Sequence, residues 1–173
     1  MKKATIIGFL FTVLFGTLLH FTYEWSGYSN AVGVFSAVNE SIWEHTKLLA
    51  VPMLVFAVFE YFSYGKELDN FIPVRLLSIL IGIAVIIGGY YIYSGIIGRD
   101  IMVADIALFV IAVFISYAYS YKMLNTNKFS SGRARLWSLF GIVLLIAIYV
   151  TFTFYPPHIN LFADPLSGTY GIM

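Results

Sequence analysis

Residues 74–94 read VRLLSILIGIAVIIGGYYIYS. Beyond Arg75 the stretch has no charged side chain, and about 20 such residues, rising about 1.5 Å each in a helix, cross a hydrocarbon layer about 30 Å thick. Runs of the same kind occupy 4–22, 44–63, 102–121 and 136–155. The whole chain agrees: 60% of its residues are hydrophobic, 11% are charged, and the mean hydropathy is +0.87, beyond what a soluble domain of 173 residues needs for its core. The expected fold is an all-α integral membrane protein, a bundle of about five transmembrane helices forming one domain over 1–173. An outer loop is expected at 23–43 and an outer tail at 156–173. The first run follows Lys2 and Lys3 and ends without a small-residue cleavage site, so it reads as a retained span rather than a signal peptide. The lipid bilayer is the expected partner, and no nucleic acid is expected.

Basic residues set the expected orientation. Lys2, Lys3, Lys66, Arg75, Lys122, Lys128, Arg133 and Arg135 fall on one side of the spans, against Lys47 and Arg99 on the other. That excess places the first side, and the N-terminus, in the cytoplasm. With five spans the C-terminus is outside. Acidic residues show the opposite bias: Glu60, Glu67 and Asp69 lie inside or near it, and Glu24, Glu40, Glu44, Asp100, Asp105 and Asp164 outside or near the outer ends. Tyr90, Tyr91 and Tyr93, and Tyr117, Tyr119 and Tyr121, read as interfacial belts. Gly82, Ala84 and the pair Gly88–Gly89 read as small residues that permit close helix packing. The basic segment 122–135 is a cytoplasmic linker near anionic headgroups.

Chemistry concentrates on the outer face. The histidines played no part in setting the orientation, yet His20, His45 and His158 all fall on that side. His20 and Glu24 are four residues apart, so on a continuous helix they share one face. In SAVNESIWEHTKLL (36–49), a helix continuous through 40–45 would gather Glu40, Ser41, Glu44 and His45 on one broad polar arc and turn Ile42 and Trp43 toward lipid. Capping competes with this reading, since Asn39 can cap the helix while Glu40 favours its positive end. The tail YPPHINLFADPLSGTYGIM (155–173) is rich in turn residues but too apolar to be free, and is expected to fold over the outer face. It would bring His158 and Asp164 to the same mouth.

Three imidazoles with several carboxylates suit Zn²⁺ or another borderline divalent ion. The expected ligands are His20, Glu24, His45, His158 and Asp164, with Glu40, Glu44 and Ser41 as catalytic groups and a carboxylate activating water. A metal-free His/Glu pocket or proton relay is the alternative within this picture. The chain has no cysteine, so thiolate ligands and disulfides are excluded. Phosphate-loop, serine-hydrolase and H-E-x-x-H motifs are also absent.

HFTYEWSGYSNAVGVFSAVNESIWEHTKLL (20–49) and PPHINLFADPLSGTYGI (156–172) resemble the signature of a family of small bacterial integral membrane proteins carried as a domain of unknown function. The resemblance implies a multi-pass protein of the bacterial plasma membrane and supplies no reaction. Seven-span zinc hydrolases offer only a chemical analogy, because this chain has fewer spans and lacks their motif spacing. The functional expectation is a metal-dependent hydrolase acting on a lipid-like or amphipathic substrate. A solute or cation transporter using the same outer pocket, with Asp105 and Glu60 as deep polar groups, is the second expectation. An accessory subunit of a membrane complex is the third.

Overall fold

A computed structural model describes residues 2–172; Met1 and Met173, the ends of the expected domain, lie outside the described residues. Five long helices are apolar enough to cross a membrane: α1 (Lys2–Trp25), α3 (Ile42–Ser63), α4 (Phe71–Ile97), α5 (Met102–Leu124) and α6 (Gly132–Phe154). A single turn, α2 (Asn30–Gly33), interrupts the loop after α1, and a 3-10 turn at Gly65–Glu67 follows α3. Among the described residues there is no strand, only an isolated bridge between Ala163 and Tyr170 in the tail.

Local chemistry explains why the helices differ in length from the apolar runs. α4 starts three residues earlier than 74 because Pro73 falls in its first turn, where no intrahelical hydrogen bond is lost. It ends on Gly98, whose φ of 80° and N–H bond to Ser94 O at 2.7 Å close the helix with a left-handed cap. α6 begins at Gly132 because the Ser131 hydroxyl accepts the Ala134 N–H at 3.2 Å. Ser41 caps α3 in the same way, accepting the Glu44 N–H at 3.3 Å. The helix therefore starts at Ile42, and the continuous helix expected through 40–45 does not form. Glu40 lies ahead of it, at a bend in the loop.

α1, α3, α4 and α5 close a four-helix bundle in which each touches the next, and α6 lies outside it against α4. Leu49, Ala50, Met53, Ile79, Ile83, Ala112, Val113 and Tyr117 fill the centre. Leu10, Leu14, Phe59, Ile92, Phe140 and Val143 are exposed. So many outward apolar side chains suit lipid and would be untenable in water.

Small residues set the closest helix contacts. A Cβ at Gly16 would sit 2.3 Å from the Leu48 carbonyl oxygen, so α1 meets α3 backbone to backbone there. Gly82 faces Ser116 and Leu49, and Gly89 faces Leu108. Gly88 faces open space and Ala84 is exposed, so the packing expected of those two does not occur. Tyr117 is not a belt residue either: it is buried, with its hydroxyl 3.1 Å from Thr12 Oγ1. Trp43 packs on Tyr149, Phe152 and Phe162 instead of facing lipid.

The tail folds back over the end of the bundle that carries His20. The Trp43 N–H donates to Leu161 O at 3.1 Å, Asn39 Nδ2 to Gly171 O at 3.1 Å, and the Ile172 N–H to Thr153 O at 3.1 Å. Phe162 is buried between Trp43 and Phe152.

Candidate metal centre

The loop between α1 and α3 is held by a buried ion pair. Lys47, wholly buried, places Nζ 2.6 Å from Glu44 Oε2, 2.5 Å from Thr153 Oγ1, 3.1 Å from Gly33 O and 3.4 Å from Ser36 O. Glu44 Oε2 also accepts the Val38 N–H at 3.0 Å. The ammonium thus ties α3 to α6 and to Gly33 and Ser36, and the Glu44 carboxylate holds Val38. Asn39 Oδ1 then accepts the Ser41 N–H at 2.9 Å. Together these contacts present Glu40 at the start of α3, beside the last turns of α1.

Glu40 meets two histidines there. Its Oε2 is 3.4 Å from His45 Nε2 and 3.7 Å from His20 Nε2, and the two rings stand edge to face with centroids 5.2 Å apart. One atom from each residue falls within 4.8 Å of the others. His45 Nδ1 is 2.9 Å from the Ser41 carbonyl oxygen, which can only accept, so Nδ1 carries a proton. In neutral His45 the Nε2 lone pair therefore points toward the Glu40 carboxylate. Two acceptors facing one another need a positive centre between them, either a proton on Nε2 or a cation.

The same arrangement is that of a ligating histidine whose other ring nitrogen is anchored on a carbonyl. Around tetrahedral Zn²⁺, with bonds of about 2.0–2.1 Å, neighbouring ligand atoms lie about 3.3 Å apart. The His45–Glu40 separation of 3.4 Å is already of that size, the His20–Glu40 separation is 3.7 Å, and the three ligand atoms all lie within 4.8 Å of one another. Glu40 lies outside the spans, and its carboxyl is held below the ordinary range by its hydrogen-bonding contact with His45, with the charges of both histidines adding and partial burial opposing.

The other expected ligands sit elsewhere. Glu24 is exposed one turn beyond His20 and makes no ion pair among the described residues. His158 is exposed and stacks on Tyr170 at 4.5 Å. Asp164 closes its own turn, accepting from the Leu166 N–H at 2.9 Å and the Ser167 hydroxyl at 2.6 Å. Neither tail residue belongs to the His20–Glu40–His45 group. The expected catalytic groups also take different places. Glu40 stands against His20 and His45, Glu44 is 2% exposed and engaged by Lys47, and Ser41 is the buried helix cap. The Ser-x-x-Glu spacing at 41–44 is the capping signal that separates Glu40 from Glu44.

A second charged pair lies at the opposite end. Arg75 Nη2 donates to Glu60 Oε1 at 2.5 Å, and Tyr64, between the spans, donates its hydroxyl to the same oxygen at 2.6 Å. Burial, reinforced by that bond, pushes the Tyr64 hydroxyl up to about 12. Arg75 also lies over the rings of Phe71 and Tyr117, at 5.4 and 5.5 Å. This cluster is separate from the histidines, and it leaves Glu60 Oε2 and Arg75 Nε buried without hydrogen-bond partners.

A family model runs along residues 1–172, from the first span through the tail. The chain belongs to DUF6512, a family of unknown function. No curated protein and no solved structure matches it. For this DUF6512 protein, function has to be argued from the site itself.

Proposed function

We propose that this DUF6512 protein is a membrane metalloprotein whose His20–Glu40–His45 centre holds a zinc-like divalent ion and serves hydrolysis of a lipid-like or amphipathic substrate at the outer membrane face. The convergence of His20 Nε2, His45 Nε2 and Glu40 Oε2 carries this reading, together with the His45 Nδ1 bond to Ser41 O. Two imidazoles and one carboxylate leave a fourth position for water or substrate, the usual plan of a catalytic zinc site. The substrate class follows from the surroundings. Phe21 stacks on His20 at 5.0 Å and is exposed, as are Trp25, Tyr28 and Phe35 on the adjoining turn and loop, so the mouth is lined by rings suited to a membrane interface.

Two of the residues used in the charge argument for orientation are buried in ion pairs, Lys47 with Glu44 and Arg75 with Glu60. Without them, Lys2, Lys3, Lys66, Lys122, Lys128, Arg133 and Arg135 still oppose Arg99 across the bundle. That bias supports a cytoplasmic N-terminus and a site facing outward from a bacterial plasma membrane. Hydrolysis is preferred to cation transport because Phe109 packs against Gly16 directly beneath the site, and the Thr12–Tyr117 hydrogen bond closes the seam below that.

Elemental analysis of detergent-purified protein tests the proposal. We expect about one zinc per chain, lost in His20→Ala and His45→Ala and strongly reduced in Glu40→Gln, with helical circular dichroism retained. Folded protein that takes up neither Zn²⁺ nor Co²⁺ would overturn it.

A further inference from the structure

With Glu40 placed as a ligand and Glu44 engaged by Lys47, the loop ahead of α3 and the first turn of α3 leave the centre no further carboxylate, and Glu24 is exposed a turn beyond His20. The packing of α1 against α5 points to another. The two helices run antiparallel in a regular register: Gly8 lies against the Tyr117 ring, Phe9 against Phe114, Thr12 bonds Tyr117, and Gly16 lies against Phe109. One turn farther toward the site, α1 carries His20 and α5 carries Asp105. Asp105 and His45 are also near enough for their charges to interact.

Asp105 is itself held in place. The Tyr93 hydroxyl, which accepts the Ile101 N–H at 3.4 Å, donates its proton to Asp105 Oδ1. No hydrogen bond among the described residues reaches Oδ2. Asp105 does not belong to the group whose atoms lie within 4.8 Å of one another, so it stands too far away to be a direct ligand.

We infer that Asp105, oriented by Tyr93, is the outer carboxylate of the centre and holds a water in its fourth position by accepting a hydrogen bond at Oδ2. This rests on the metal reading above. In a hydrolytic step the water's O–H bond breaks, its proton passes to Asp105, and its oxygen bonds to the electrophilic carbon or phosphorus of the substrate; the bond from that atom to the leaving group then breaks, the electron pair departs with the leaving group, and the same proton is returned to it.

Titration of the purified protein with Co²⁺, followed by its visible absorption, tests the inference without a known substrate. Asp105→Asn is expected to retain one Co²⁺ per chain with Kd raised about 10–100-fold, as for loss of an outer partner of a metal centre. Tyr93→Phe should fall between it and the wild type. Asp105→Glu should recover part of the affinity, and Asp100→Asn, an equal loss of charge on the adjacent loop, should stay within about twofold. Asp105→Asn within twofold of wild type, or weakened no more than Asp100→Asn, would overturn the inference. So would complete loss of Co²⁺ from a folded Asp105→Asn protein, which would make the residue a direct ligand. If the wild type binds no Co²⁺, the metal reading fails first, and the inference falls with it.

Discussion

Glu40 shows how one loop residue connects stability with the proposed metal chemistry. Its carboxyl is held below the ordinary value of 4.5, so its anionic contacts with His45 and His20 contribute stability that is fully present above that value. The contribution is lost as pH falls through the lowered value, where the folded state also takes up the proton. Thermal melts of wild type and Glu40→Gln in detergent should therefore differ most above the ordinary carboxylate value of 4.5 and converge as the pH is taken well below it. A gap that stays constant across that range would contradict the contact. Protons also compete with a metal at all three side chains, so affinity should fall with acidification. His45 was visible in the sequence as a candidate ligand, but the anchoring of its Nδ1 on Ser41 depends on where α3 begins.

Two devices at the level of the helices position α3, one against α6 and the preceding loop and one against α1. The first is Lys47, whose ammonium bonds Glu44 Oε2, Thr153 and two carbonyls in a site closed to water, while Glu44 Oε1 is buried without a hydrogen-bond partner. Removing one partner of a buried pair leaves an uncompensated charge, so Lys47→Met is expected to destabilise the fold by about 3–5 kcal/mol. The double variant Lys47→Met/Glu44→Gln should recover part of that loss, and denaturation in mixed detergent measures both. The second device is Gly16, where a methyl group would meet the Leu48 carbonyl at 2.3 Å. Gly16→Ala should push α1 off α3, carry His20 away from Glu40 and lower Co²⁺ affinity. Gly88→Ala, with nothing within 4 Å, should leave both stability and affinity unchanged. In sequence these glycines look alike. Only the partner helix distinguishes them.

For the whole molecule, the tail acts as a lid fastened at three points, on Trp43, Asn39 and Thr153, with Phe162 as its apolar anchor. Deleting 156–173 removes those hydrogen bonds and one buried aromatic ring, together about 3–7 kcal/mol, and should lower Tm by about 6 °C or more. An unchanged melt would mean that the tail is not seated as described. Its seating was legible in its apolar content and its prolines, yet the expected delivery of His158 and Asp164 to the centre did not follow. His158 turned to Tyr170 and Asp164 to its own turn. The sequence by itself determined the helical class, the five spans and the clustering of polar groups at one end, because the length and apolarity of a segment are local properties that need no partner. Tertiary structure alone decided which imidazoles meet which carboxylate. That choice rests on a helix cap at Ser41, a glycine contact between α1 and α3, and the register of α1 on α5, where a shift of one residue turns a side chain about 100° around its helix.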